Sequence, residues 1–170
     1  MAGAASKSGP MVLGVDPGSR LCGYGVIDAA GRYVASGTIK MTADSPLHMR
    51  LGELYTGLAS VIDEFSPSEA SVEKVFFAKS VRAALSLGHA RGVALLALEQ
   101  RGVSVFEYSP LEIKKAVTGY GKAAKSQVQA MVRQILGLDF EPSPDGADAL
   151  AMAICHRGRA DFIRSVREAS

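Results

Sequence analysis

The chain first changes its hydrophobic period near residue 45, and that change limits the folds open to it. Before Ser45, apolar residues come in short runs: MVLGVD (Met11 to Asp16), LCGYGVID and YVASGTIK, separated by PGSR and AAGR. Proline presets φ and glycine tolerates the left-handed region, so both breaks are tight turns. The opening is expected to be a three-stranded antiparallel meander. After Ser45-Pro46, a cap followed by proline, Leu47, Leu51, Leu54, Leu58, Val61, Ile62 and Phe65 recur at helical spacing up to Pro67. A short buried strand is expected over 70–75, a helix over 80–100 and a strand over 103–108. Ser109-Pro110 with Glu112 forms a capping box for a third helix. An amphipathic helix spans 125–136, with Gly137 as its stop, and EPSPDG leads into a last helix. Strands that alternate with helices imply right-handed parallel crossovers. The expectation is a five-stranded mixed α/β sheet, the meander plus two parallel strands, flanked by helices on both faces.

At 170 residues this is one domain with a sizeable core. The domain is assigned to 11–158. Residues 1–10 lack the apolar segment of a secretory signal and read as a disordered tail. Residues 159–170 are polar and read as an extension that frays. Cys22 and Cys155 sit in apolar surroundings and read as free thiols. No apolar run is read as a membrane span, and a soluble cytoplasmic protein is expected.

Charge is distributed unevenly. Net charge is only +2. Yet the stretches between Glu73 and Glu99 and between Glu112 and Asp139 contain no acid, while they carry Lys74, Lys79, Arg82, Arg91, Lys114, Lys115, Lys122, Lys125 and Arg133. Clustered basic charge suits a polyanion or, more plainly, a solvated helix face.

Four acids stand out against this background. Asp16 ends the first strand and Glu73 interrupts the fourth, so parallel neighbours would project both at one sheet edge. Asp145 and Asp148 are three apart in the first turn of the last helix and share a face. Two like charges 4 Å apart repel by about 4 kcal/mol at an effective dielectric of about 20. Such a cluster needs a proton or a cation. Oxygen ligands suit Mg²⁺ or Mn²⁺, and two such ions about 3.5–4 Å apart activate phosphodiester hydrolysis.

GVDPGSRLCGYGVI (14–27), VEKVFFAKS (72–80), LGHARGVA (87–94), VFEYSPLEIKKAVTGYG (105–121), KSQVQAMV (125–132) and DGADALAMAICH (145–156) resemble the RuvC family of Holliday-junction resolvases, in order along the chain. The resemblance implies a ribonuclease-H-like fold and a homodimeric endonuclease that nicks four-way DNA junctions symmetrically, with the RuvA–RuvB branch-migration complex as partner. It implies that Asp16, Glu73, Asp145 and Asp148 are the catalytic and metal-binding acids. Some relatives carry histidine at the position of Asp145. Lys114 and Lys125 match residues that steady the scissile phosphate, Lys125 with a catalytic role, and Phe76 matches an aromatic that contacts bases. The acid-free basic stretches add Lys79, Arg82, Lys115 and Lys122 as expected DNA-binding residues.

Several positions stay open on the sequence. The helix over 80–100 is apolar around most of its circumference, which fits either a core helix or a subunit contact. Phe77 reads as core. His48, His89 and His156 have no partner at ligand spacing and read as structural. Tyr120 and its flanking glycines read as a mobile loop near DNA. A nuclease of the same fold acting on structured RNA would keep the same acids. So would a silent junction-binding module, although negative charge beside phosphates adds nothing to binding alone. Asp16-Pro17-Gly18-Ser19 also looks like the first phosphate loop of actin-like kinases, which need two lobes.

Overall fold

A computed structural model describes residues 10–74 and 80–168, with side chains through Phe162. The meander comprises β1 (Val12–Pro17), β2 (Leu21–Ile27) and β3 (Tyr33–Lys40). Then follow α1 (Leu47–Phe65), β4 (Glu69–Glu73), α2 (Val81–Glu99), β5 (Ser104–Tyr108), α3 (Pro110–Thr118), α4 (Lys125–Ile135) and α5 (Pro144–Glu168). The sheet order is β3-β2-β1-β4-β5. β1 pairs antiparallel with β2 and parallel with β4, which is parallel to β5. The expected mixed sheet is therefore observed.

Strand alternation sorts side chains onto two faces. Leu13, Val15, Val26, Ala70 and Val72 meet Leu54, Leu58 and Ile62 of α1 and the alanines of α2. Val12, Ile27 and Tyr108 meet α3, α4 and α5. α5 lies unusually close to the sheet. A β-carbon on Gly14 would fall 1.8 Å from the Ala149 carbonyl oxygen, and one on Gly23 would fall 2.1 Å from that of Asp145. Only glycine leaves room for this helix backbone, which sets the first turn of α5 directly over β2.

Local signals mostly hold. The AAGR turn is closed by buried Asp28, which accepts from the Ala30 and Arg32 amides and from Arg32 Nε. The Ser109/Glu112 capping box is complete. Three expectations need correction. Pro46, not Ser45, is the cap residue of α1, and no side chain caps it. α5 continues to Glu168, so the expected boundary at 158 falls inside a helix. α2 is long and apolar enough to span a membrane, with 19 residues at mean hydropathy 1.3. Its Ala90, Ala94, Ala97 and Leu98 are nevertheless buried in the core, and Arg91 pairs with Glu107 of β5. Both cysteines are free and buried. Residues 1–9 lie outside the described residues, as do Phe76, Phe77 and Lys79.

Candidate active site

Register brings the acids together. Val15 pairs with Val72 across the parallel β1–β4 contact, so Asp16 and Glu73 occupy the next step, at the C-terminal ends of adjacent strands. Two residues earlier on each strand, Gly14 abuts Ala149 and Ser71 bonds the Met152 carbonyl, both on α5. Period-2 alternation returns Asp16 and Glu73 to that same face. Gly23 is the cross-strand partner of Asp16 and is also the residue against which Asp145 packs. Asp148 follows one turn along α5. Ser143 Oγ accepts from the Gly146 amide and contacts Thr38 Oγ1 at 3.0 Å, tying the start of α5 to β3.

Asp16, Glu73, Asp148, Lys114 and Lys125 line one cleft of about 230 Å³, with apolar walls from Ile113, Val128 and Met152. Asp145 is not among the residues lining it, but its charge acts on Asp16. Burial first, then the charges of Asp148, Glu73 and Asp145, push the Asp16 carboxyl up to about 6, against an opposing effect of Lys125. Burial and Asp148 push Glu73 up as well, while Lys114 and Lys125 pull it down. The ammonium of Lys125 lies 2.5 Å from Asp148 Oδ2, and that bond holds its own titration above the usual range. Its side chain is 61% exposed, within reach of an incoming phosphate.

The donors fit a hard divalent cation: all are carboxylate oxygens, and two titrate high because like charge and burial oppose ionisation. Among the described residues, however, no group of three acids is drawn up as one ion's ligand set. Three of the four expected metal ligands thus share the cleft, Asp145 acts on it through its charge, and together they form no closed cage. Lys125 supplies the cation at Asp148.

The remaining expected DNA contacts are dispersed. Lys115, Lys122 and Arg82 are exposed, and none is among the residues lining the cleft. The Tyr120 loop is tied down, because the Thr118 hydroxyl bonds the Tyr120 amide and carbonyl and the Lys114 carbonyl. Tyr120 itself is 60% exposed. Sequence reasoning left His156 without partners. It is 2% exposed, and its ring nitrogens contact Tyr108 and Glu69. The overlooked signal was strand alternation, which places Glu69, Ser71 and Glu73 on one face of β4.

Residues 12–156 match the family described as crossover junction endodeoxyribonuclease RuvC. The chain is 46% identical to the protein of that name from Magnetococcus marinus over 155 residues, covering 89% of this chain and 86% of the relative. It is 50% identical to that of Shewanella frigidimarina over 149 residues, covering 86% of each. The solved structure of T. thermophilus RuvC in complex with Holliday junction substrate superposes with a TM-score of 0.83 at 36% identity, covering 90% of this chain and 96% of that one. The yeast mitochondrial Holliday junction resolvase Ydc2 shares the fold, with a TM-score of 0.63 at 12% identity, covering 98% of this chain and 88% of that one. The fold is thus ribonuclease-H-like, and the acids and lysines described above lie within a match that spans the whole sheet, α1 to α4 and the first half of α5: the chain belongs to the RuvC family of crossover junction endodeoxyribonucleases.

Proposed function

We propose that this chain resolves Holliday junctions, hydrolysing phosphodiesters of four-way DNA by paired symmetric nicks that depend on divalent metal. The observation that carries this reading is the shared cleft, in which Asp16, Glu73 and Asp148 face Lys114 and Lys125 at the C-terminal edge of β1 and β4. Asp16, Glu73, Asp145 and Asp148 would hold two Mg²⁺ or Mn²⁺ ions, which supply Lewis-acid activation of the phosphodiester when bound. Lys114 and Lys125 orient the scissile phosphate. Lys125 does so on leaving Asp148, once other positive charge reaches that carboxylate. Arg82, Lys115 and Lys122 are exposed and reach backbone phosphates outside the cleft. Lys79 and Phe76 lie outside the described residues; Lys79 joins the phosphate contacts and Phe76 stacks on a base at the junction centre.

Paired nicks need two sites, and a two-fold homodimer supplies them on strands of like polarity. α2 supports this: Val81 is 78%, Leu85 60% and Leu96 50% exposed on the helix whose alanine face is buried. An apolar stripe of this kind marks an association surface. Leu85→Glu is expected to turn a dimer into a monomer in sedimentation equilibrium. A variant that stays dimeric would move the interface elsewhere. The reading also places the protein in the cytoplasm with the RuvA–RuvB complex.

The test is cleavage of a labelled four-way junction and of a linear duplex, each with and without Mg²⁺ or Mn²⁺. Paired nicks in the junction alone, and only with metal, are expected. Equal cutting of duplex would refute junction selectivity. Lys125→Ala should slow cleavage at saturating junction by about 30-fold, the equivalent of one charge-assisted bond of about 2 kcal/mol. A loss confined to junction affinity would make Lys125 a binding residue only.

A further inference from the structure

The face of β4 that meets α5 is polar along its length. Glu69, Ser71 and Glu73 alternate with fully buried Ala70 and Val72, so all three point toward α5. The facing positions on α5 are His156, Met152 and Asp148, spaced four residues apart along one side of the helix. Two of the three rungs are attractive. Glu69 Oε2 lies 2.9 Å from His156 Nε2, and the Ser71 hydroxyl donates to the Met152 carbonyl at 2.8 Å. The third rung, Glu73 facing Asp148, is repulsive.

His156 is locked on its other sides. Its Nδ1 lies 2.7 Å from the Tyr108 hydroxyl, and its ring stacks on Phe106 with centroids 4.3 Å apart. A carboxylate only accepts, so Nε2 carries the proton, and in the neutral ring Nδ1 accepts from Tyr108. Tyr108 is in turn the cross-strand neighbour of Glu73. The network therefore begins and ends on β4, four residues apart, and passes through α5 and β5 between.

We infer that Glu69, His156 and Tyr108 are positioning residues that fix the axial register of α5 against β4, so that Asp148 is held against Glu73 in spite of their repulsion. Without the anchor, that repulsion favours a slide of α5. A slip of one residue moves Asp148 by about 1.5 Å along the helix axis, and a misplacement of about 1 Å can slow an enzyme about 10²-fold. The inference rests on the assignment of Glu73 and Asp148 as catalytic acids.

Glu69→Ala, Glu69→Gln and Tyr108→Phe test it in the full chain, each assayed well below its own unfolding temperature. Single-turnover junction cleavage, junction affinity without metal, and Mn²⁺ affinity by calorimetry without DNA are measured. Glu69→Ala and Tyr108→Phe should lose about tenfold in cleavage and about tenfold in Mn²⁺ affinity, as residues that orient ligands do, with junction affinity unchanged. Glu69→Gln keeps a hydrogen-bonding partner for His156 and should stay within about twofold of the parent. Should Glu69→Ala fold poorly, Tyr108→Phe, which removes one oxygen, still decides the matter. Cleavage and Mn²⁺ affinity both at parental levels in Glu69→Ala and Tyr108→Phe would overturn the inference, because a merely structural network would lower only the unfolding temperature. Equal losses in Glu69→Gln and Glu69→Ala would also overturn it, since the charge rather than the anchoring bond would then be responsible. Glu73→Gln run in parallel separates the two levels: if it cleaves like the parent, the site assignment itself fails.

Discussion

Asp148→Asn is expected to slow junction cleavage by about 10³-fold, the loss of about 4 kcal/mol of transition-state stabilisation from a metal site deprived of one anionic ligand. The side chain changes by one atom in shape but loses its charge. It lines the cleft beside Asp16 and Glu73 and accepts the Lys125 ammonium at 2.5 Å. Junction affinity should hold or rise slightly, because removing a negative charge near phosphates does not weaken binding to a polyanion. Glu73→Gln should behave alike, from the neighbouring strand end. Gel-based nicking with Mg²⁺ and junction binding in chelator measure the two properties separately. Binding lost in step with cleavage would make these acids structural.

Asp16→Asn should abolish cleavage and, in the metal-free protein, raise stability at pH 8 by about 2 kcal/mol. The direction follows from the carboxyl being pushed up from 3.8 to about 6 by burial and by three neighbouring acids. Between those two values the native protein binds more protons than the unfolded chain. Stability therefore falls as pH rises through this window, and the penalty is complete above about 6. A rise of that size corresponds to about 3 kcal/mol, trimmed here because the cleft admits water. Asparagine carries no such penalty, so its advantage should be present at pH 8 and shrink toward zero by pH 4. Urea unfolding in chelator at both pH values measures it. Mg²⁺ should stabilise the parent more than the variant, since the ion relieves the same repulsion. A variant less stable than the parent at pH 8, or one whose difference ignores pH, would sink this account of the cleft.

Much of this was legible without coordinates. Hydrophobic period is a local property, so the meander, the two later strands and the helices between them could be read from spacing alone, together with the Ser109/Glu112 cap. Asp16 and Glu73 were conspicuous because acids rarely sit in apolar strands, and Asp145 with Asp148 because helical spacing puts them on one face. The ordered motifs from Gly14 to His156 carried the family.

What stayed hidden was set by contacts between residues far apart in the chain. The pairing of Lys125 with Asp148 left no local spacing to read. The apolar circumference of α2 fitted a core helix or a subunit surface equally well, and only packing against α1 and the sheet separated buried Ala90 and Ala94 from exposed Val81 and Leu85. His156 looked isolated because its partners Glu69 and Tyr108 lie 87 and 48 residues away. Gly14 and Gly23 showed their purpose only when a helix backbone was found against them. Local spacing determines which elements form and which carry acids. The distances among those acids depend on how α5 settles on β1, β2 and β4, a matter of steric fit and long-range hydrogen bonds that no short stretch of chain encodes.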